Sequence, residues 1–182
     1  MAFSEHISKN LSEANAVIGA KAPSLRDKQD RITAVLLANI LGGPASNSLL
    51  GESLRERHGW VYGVECSYTQ YADDGIMAIC LGCDRANLDK CLRETRRIIA
   101  RFQKNIMSPE RLAQAKKQLL GQLAISGEGC ESQCLSMGKS LLAFGRVATD
   151  EENRRAIEAV TAEDLRDMAL RIFADPSTLV YD

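Results

Sequence analysis

Near residue 84 the apolar pattern of the chain changes period, and this switch constrains the fold more than any other feature of the sequence. Before it the pattern alternates. Trp60 to Tyr71 places Tyr62, Val64, Cys66 and Tyr68 on one face, and Ile76 to Cys83 forms a second β-like run beyond the turn at Asp73, Asp74 and Gly75. After it the repeat falls at three and four, with Leu88, Cys91, Leu92, Thr95, Ile98, Ile99 and Phe102 along one helical face. Strands grouped early and helices grouped late predict an α+β fold, a mainly antiparallel sheet with helices packed on one face.

The remaining segments fit that frame. Asn15 to Ala20 reads as a buried strand, and Lys28 to Leu41 as a helix that is apolar on most sides after Ile32 and so lies against a sheet. Gly42, Gly43 and Pro44 stop it, with glycine expected in the left-handed cap. Ser108 and Pro109 open a helix whose stripe runs Leu112, Ala115, Leu119, Leu123, until Gly127 and Gly129 interrupt it. Cys130, Cys134, Met137 and Leu141 give a further packing face. Thr149 with Glu152, and Thr161 with Asp164, form N-cap boxes, the second opening a helix with Leu165, Met168, Ala169, Ile172 and Phe173 inward. Ser177 to Tyr181 closes as a strand. No linker or low-complexity segment divides the 182 residues, so 1–182 is expected to be one domain.

Composition narrows the function classes. Lys and Arg total 23 against 24 Asp and Glu, which gives no net charge to draw the chain onto nucleic acid or an anionic membrane. No apolar run approaches the ~20 residues that span a bilayer. The six cysteines fall in strand- or helix-patterned stretches and are expected as reduced, mostly buried thiols, which favours a reducing, cytoplasmic compartment. Cys80 and Cys83 would point to opposite faces of a strand and cannot clamp one ion. Cys130 and Cys134 share a helix face but lack further soft ligands, so packing is the expected role.

Of the two histidines, His6 and His58, neither sits in a His-x-x-Glu-His or His-Glu-x-x-His arrangement, which excludes an autonomous zinc hydrolase of that type. His58, in a polar turn beside Arg57, reads as a packing or solvated imidazole. The Gly42–Ser48 loop lacks the Gly-Lys-Ser/Thr ending of a phosphate cradle and follows a helix rather than a strand.

One segment remains: Leu41-Gly42-Gly43-Pro44, the turn Ala45-Ser46-Asn47-Ser48, then Leu54-Arg55 and Gly59-Trp60-Val61-Tyr62 entering a strand. With the Asp74-Gly75 hairpin, the Ser108-Pro109-Glu110 helix start followed by Ala115 and Lys116, and Val160-Thr161-Ala162-Glu163-Asp164, this order resembles the C-terminal, non-zinc homologous domain of the pitrilysin/insulinase family, which includes the mitochondrial processing peptidases. The resemblance covers nearly the whole chain. It implies half of a peptidase chamber, a fragment of a longer chain whose other half bears His-x-x-Glu-His and zinc. This chain itself would then hold no cofactor.

By the same resemblance Arg55 and Tyr62 match the Arg-x6-Tyr pattern that reaches the zinc domain's active site, Arg55 positioning substrate and Tyr62 donating to the oxyanion. Their chemistry suits those roles, because a guanidinium holds carbonyl or carboxylate oxygens in fixed geometry and a phenol can donate to developing negative charge. Read alone, Arg55 is a solvated helix charge and Tyr62 an amphipathic strand aromatic. Asn47 and Ser48 depart from the family's serine pair and arginine. The implied partners are a zinc-bearing domain or subunit, a peptide substrate and a second copy as homodimer, with no nucleic acid and no membrane. The alternatives are an inactive scaffold or assembly subunit and a non-hydrolytic peptide-binding module that works by strand addition.

Overall fold

The computed structural model describes residues 2–9 and 11–182. In chain order the elements are β1 (Ser4–Ile7), β2 (Glu13–Ala22), α1 (Lys28–Gly42), a π-helical stretch (Gly51–Arg57), β3 (Val61–Gln70), β4 (Gly75–Asp84), a 3-10 turn (Arg85–Asn87), α2 (Leu88–Lys104), α3 (Pro109–Ser126), α4 (Cys130–Phe144), α5 (Asp150–Glu158), α6 (Ala162–Ile172) and β5 (Ser177–Tyr181). The five strands form one sheet in the order β1-β5-β2-β4-β3, antiparallel at every junction except β1–β5. The α+β expectation therefore holds, with the sheet mostly antiparallel.

Alternation in the strands decides which face is covered. In β2, Ala14, Ala16, Ile18 and Ala20 are buried while Glu13, Asn15 and Val17 face out; in β4, Met77, Ile79, Leu81 and Cys83 are buried. Against this face lie α1, α2 and α6. Helix α1 buries Leu36, Leu37, Ile40 and Leu41 because it packs on β3 on one side and on α3, α5 and α6 on others. Each such side chain contributes roughly 1.5–3 kcal/mol on leaving water. The stripes of α2 and α6 are also inward, with Leu165, Met168, Ala169, Ile172 and Phe173 all buried. Both N-cap boxes form, through Thr149 with Glu152 and Thr161 with Asp164.

Four features differ from the sequence reading, the first an element that reading did not foresee. Strand β1 has no apolar signal in Ser4-Glu5-His6-Ile7, and all four residues are exposed. It forms because β5 offers its edge, and because His6 Nε2 lies 2.9 Å and Arg85 Nε 3.3 Å from the buried carboxylate of Asp182. The end of α1 uses no left-handed residue: Gly43 is extended at φ −64°, ψ 173°, and positive φ occurs at Gly59 and Gly145 instead. Gly42 serves close approach, since a Cβ there would stand 2.5 Å from the Cys66 backbone nitrogen.

The third correction concerns cysteines. Cys66, Cys83 and Cys91 are buried and Cys80 partly so, but Cys130 and Cys134 are exposed. Burial pushes the Cys66 and Cys83 thiols up to about 12, so these two stay protonated. Cys80 and Cys83 do face opposite sides of β4, as strand geometry requires. The fourth is α4 itself. No residue of α4 is buried, and the α3 stripe leaves the core after Leu119, with Leu123 exposed. The apolar face predicted from Cys130, Cys134, Met137 and Leu141 is not buried by any of the described residues, and α4 touches α1 through the Phe144 ring, which lies under the Arg31 guanidinium at 4.6 Å.

Candidate functional site

The site is assembled where the C-terminal end of α1 approaches β3. Gly42 lets the helix end rest on the Glu65–Cys66 backbone, and the chain then turns through Pro44 to Ser48 into the π-helical stretch. Ser48 is buried and its carbonyl accepts the Glu52 N–H at 2.8 Å. Asn47 Nδ2 donates to Gln118 Oε1 of α3 at 2.8 Å, so the residue that departs from the family's serine pair ties this turn to α3. Between the helix end, the turn and β3 lies a cleft of about 280 Å³ lined by Gly43, Pro44, Ser48, Arg55, Val64 and Glu65, among others.

Arg55 stands on the wall of this cleft. Its Nε donates to Glu56 Oε1 at 2.9 Å, its side chain is about half exposed, and its two terminal nitrogens have no hydrogen-bond partner among the described residues. The π-helical stretch that carries it is fastened from α2: Ser53 Oγ donates to Glu94 Oε1 at 2.7 Å. Arg97, first, and this Ser53 bond hold the Glu94 carboxyl down at about 2. The anchor is therefore ionised throughout the neutral range. His58 accepts no catalytic assignment, since its Nδ1 lies 2.8 Å from the Ser53 carbonyl and its ring stacks on Trp60 at 4.1 Å.

Two backbone bonds close the turn from helix to strand, Gly59 N–H to Arg55 C=O at 3.0 Å and Trp60 N–H to Leu54 C=O at 2.9 Å. Gly59 sits at φ +61°, where a side chain would be strained. Immediately beyond, β3 carries a bulge: Val61 pairs with Cys83 and Gly63 with Gly82, so Tyr62 is the extra residue. Val61 turns into the core and Tyr62 is 61% exposed. This corrects the expectation that Tyr62 shares a face with Val64, Cys66 and Tyr68.

Tyr62 does not reach Arg55 by a hydrogen bond among the described residues. Its hydroxyl donates to Asp84 Oδ1 at the end of β4, and this bond to a carboxylate pushes the phenol up to about 12. Sequence reasoning missed Asp84, because the pairing depends on the bulge, and nothing in the spacing marks the bulge. Replacing Asp84 with Asn is expected to bring the phenol back towards about 10, measurable as the ultraviolet titration difference between chains with and without Tyr62→Phe. An unchanged high titration in Asp84→Asn would contradict this pairing.

Nothing here fits a metal ion. Among the described residues no three His, Cys, Asp or Glu side chains converge. The chemistry available is hydrogen-bond donation from a half-free guanidinium and from a phenol at the two ends of one rigid turn.

Comparisons with known proteins agree on the fold and family. A sequence model described as "Peptidase M16 inactive domain" matches residues 3–119, more than half of the chain. An uncharacterized zinc protease of Bacillus subtilis is 27% identical over 172 residues, 94% of this chain and 41% of the relative. One from Rickettsia felis is 26% identical over the same shares. Among solved structures, a peptidase M16 inactive domain from Pseudomonas fluorescens superposes with TM-score 0.85 at 20% identity, over 99% of this chain and 43% of that one. A protease from Helicobacter pylori gives 0.87 at 14%, over 98% and 44%. The chain thus spans about two-fifths of the length of the relatives it matches.

Proposed function

Because the chain belongs to the peptidase M16 family and matches the model of that family's inactive domain over residues 3–119, we propose that it completes the active site of a zinc-bearing M16 half and binds the peptide that half cleaves. The observation that carries this reading is the single turn that presents Arg55 and Tyr62 from its two ends, fastened by Gly59, Trp60 and the Ser53–Glu94 bond. Both functional groups are exposed and project from backbone that cannot easily move. Such preorganisation is what transition-state stabilisation requires.

The roles follow from the donors. The unpaired nitrogens of Arg55 bind carbonyl or carboxylate oxygens of the peptide at the mouth of the cleft, with bidentate geometry. Tyr62 donates a hydrogen bond from its phenolic hydroxyl to the oxyanion that forms on the substrate carbonyl, keeping the proton. That proton rests on the Asp84 bond in the unpartnered domain, so the hydroxyl turns from Asp84 to substrate as the two halves close. Arg55→Ala is expected to raise KM roughly 10- to 100-fold with little change in kcat, and Arg55→Lys to restore it only in part, because a point charge lacks the planar fork. Steady-state kinetics with the zinc-bearing half present decide this; a wild-type KM in Arg55→Ala would remove Arg55 from substrate positioning.

The outer edge of β3 pairs with no strand among the described residues. This favours one second reading, a module that captures extended peptide by strand addition without hydrolysis. Retained peptide affinity with no turnover in the two-half complex would support it over the first.

A further inference from the structure

Helix α2 gathers positive charge on the side it turns to solvent. Its seventeen residues hold six Lys and Arg against Asp89 and Glu94, in a chain whose net charge is -1. Counted at 100° per residue from Thr95, which is fully buried, Lys90, Arg93, Arg97, Arg101 and Lys104 all lie roughly 120–180° around the helix. All five are exposed. They form a single row about 21 Å long and about 8 Å wide, directly opposite the core.

Folding does not account for this row. Like charges three and four positions apart, such as Arg93 with Arg97 and Arg97 with Arg101, repel each other and weaken a helix. Elsewhere the chain offsets such charge: Arg154 and Arg155 of α5 both pair with Glu151, and Arg171 of α6 pairs with Asp30. In the α2 row only Arg97 has a carboxylate partner among the described residues, Glu94. Arg101 and Lys104 suit the C-terminal end of the helix, but Lys90 stands in its first turn, where the dipole disfavours positive charge.

A partner for this row must bring negative charge in a line one chain wide. Four residues of helix advance about 6 Å, and an extended peptide presents every second side chain on one face at roughly 6.6–6.8 Å. Alternate acidic side chains of an extended segment therefore fall close to successive cations. Single-stranded nucleic acid is gripped by stacking as well as by charge, and the aromatic ring beside the row, Trp60, is already stacked on His58, with the Lys90 ammonium over it at 5.8 Å. A lipid surface is entered by apolar side chains, and the row has none; Asp89 and Glu94 flank it instead. We propose that the outward face of α2 binds an extended acidic segment of another protein, with carboxylates at alternate positions meeting Arg93, Arg97 and Arg101. Neither Arg55 nor Tyr62 belongs to this row, so such binding is independent of the peptidase reading.

Titration of the 182-residue chain into the peptide Glu-Thr-Glu-Thr-Glu-Thr-Glu, labelled with an uncharged dye and followed by fluorescence anisotropy, tests it. A dissociation constant of about 30–300 μM is expected at low salt, weakening as salt is added. Arg93→Gln/Arg101→Gln is expected to weaken binding about 5- to 30-fold while the melting temperature holds, since neither residue gives up an ion pair. Arg154→Gln/Arg155→Gln removes as much charge from cations that Glu151 already holds, and is expected to change affinity by less than about 2-fold. A peptide of the same composition with its glutamates contiguous turns alternate carboxylates away from the row and is expected to bind about 3-fold or more weaker. No binding at about 1 mM protein, equal losses in the two double variants, or equal affinity for the two peptides would each overturn the proposal. Phosphatidylserine vesicles or a single-stranded oligothymidine bound through Arg93 and Arg101 more tightly than the peptide would assign the row to a membrane or to nucleic acid, and overturn it equally.

Discussion

Tyr62→Phe, assayed with the zinc-bearing half supplied, is expected to lower kcat roughly 10- to 1000-fold while KM changes little. The substitution removes one oxygen and its proton from an exposed ring, so folding is expected to survive: Tyr62 is the extra residue of a bulge and contributes nothing to the core. What it loses is the donor to charge that exists only in the transition state. Binding of the ground-state peptide makes no use of that bond, so the effect separates into kcat. A wild-type kcat in Tyr62→Phe with unchanged thermal stability would return Tyr62 to a surface aromatic. Together with a wild-type KM in Arg55→Ala, it would leave this half architectural.

Gly42→Ala is the substitution expected to harm stability most among conservative changes near the site. The added Cβ would stand 2.5 Å from the Cys66 nitrogen, 2.8 Å from its Cβ and 2.9 Å from the Glu65 carbonyl carbon, all parts that cannot rotate away. Helix α1 must then lift from β3, at a cost of about 2–4 kcal/mol for overpacking. Alanine's better helix propensity returns at most about 1 kcal/mol, so the clash wins. For a chain of this size the melting temperature should fall by about 2–12 °C. Gly121→Ala, in an exposed part of α3 with nothing within 4 Å, is the control and should be neutral or mildly stabilising. Equal melting temperatures for the two variants would refute the close contact.

Much of the fold was legible because its signals are local. The stripe of α2, the Thr149 and Thr161 caps and the β3–β4 hairpin each rest on side-chain periodicity or on a residue bonding its own neighbour three positions on. What escaped depends on contacts far apart in sequence. β1 exists only because β5 and Asp182 receive it, and its own four residues carry no pattern. Gly42, Gly43 and Pro44 do end α1, but Gly42 also answers to a strand more than twenty residues later, which no local pattern shows.

The site shows the same division. Arg55 and Tyr62 were found by their order within a family pattern, while Asp84, which accepts the Tyr62 proton, became visible only once the bulge turned Tyr62 away from Val64 and Cys66. Helix α4 misled for a physical reason. An apolar face looks alike in sequence whether it meets the chain's own core or another molecule.

The strand order has a consequence for how the chain reaches this state. Hairpin β3–β4 closes over a turn of a few residues, and β2 then joins β4. Yet the other edge of β2, Asn15 to Gly19, waits for Ser177 to Tyr181, and β1 cannot attach until β5 has. The longest loop in the molecule therefore closes last, which makes sheet completion the slow step of folding. Until then a strand that ends in the middle of the sheet offers a bare row of backbone donors and acceptors to any neighbouring nascent chain. The pressure on a cell that makes this protein lies in that interval before β5 arrives, when mispairing between chains competes with completion of the sheet.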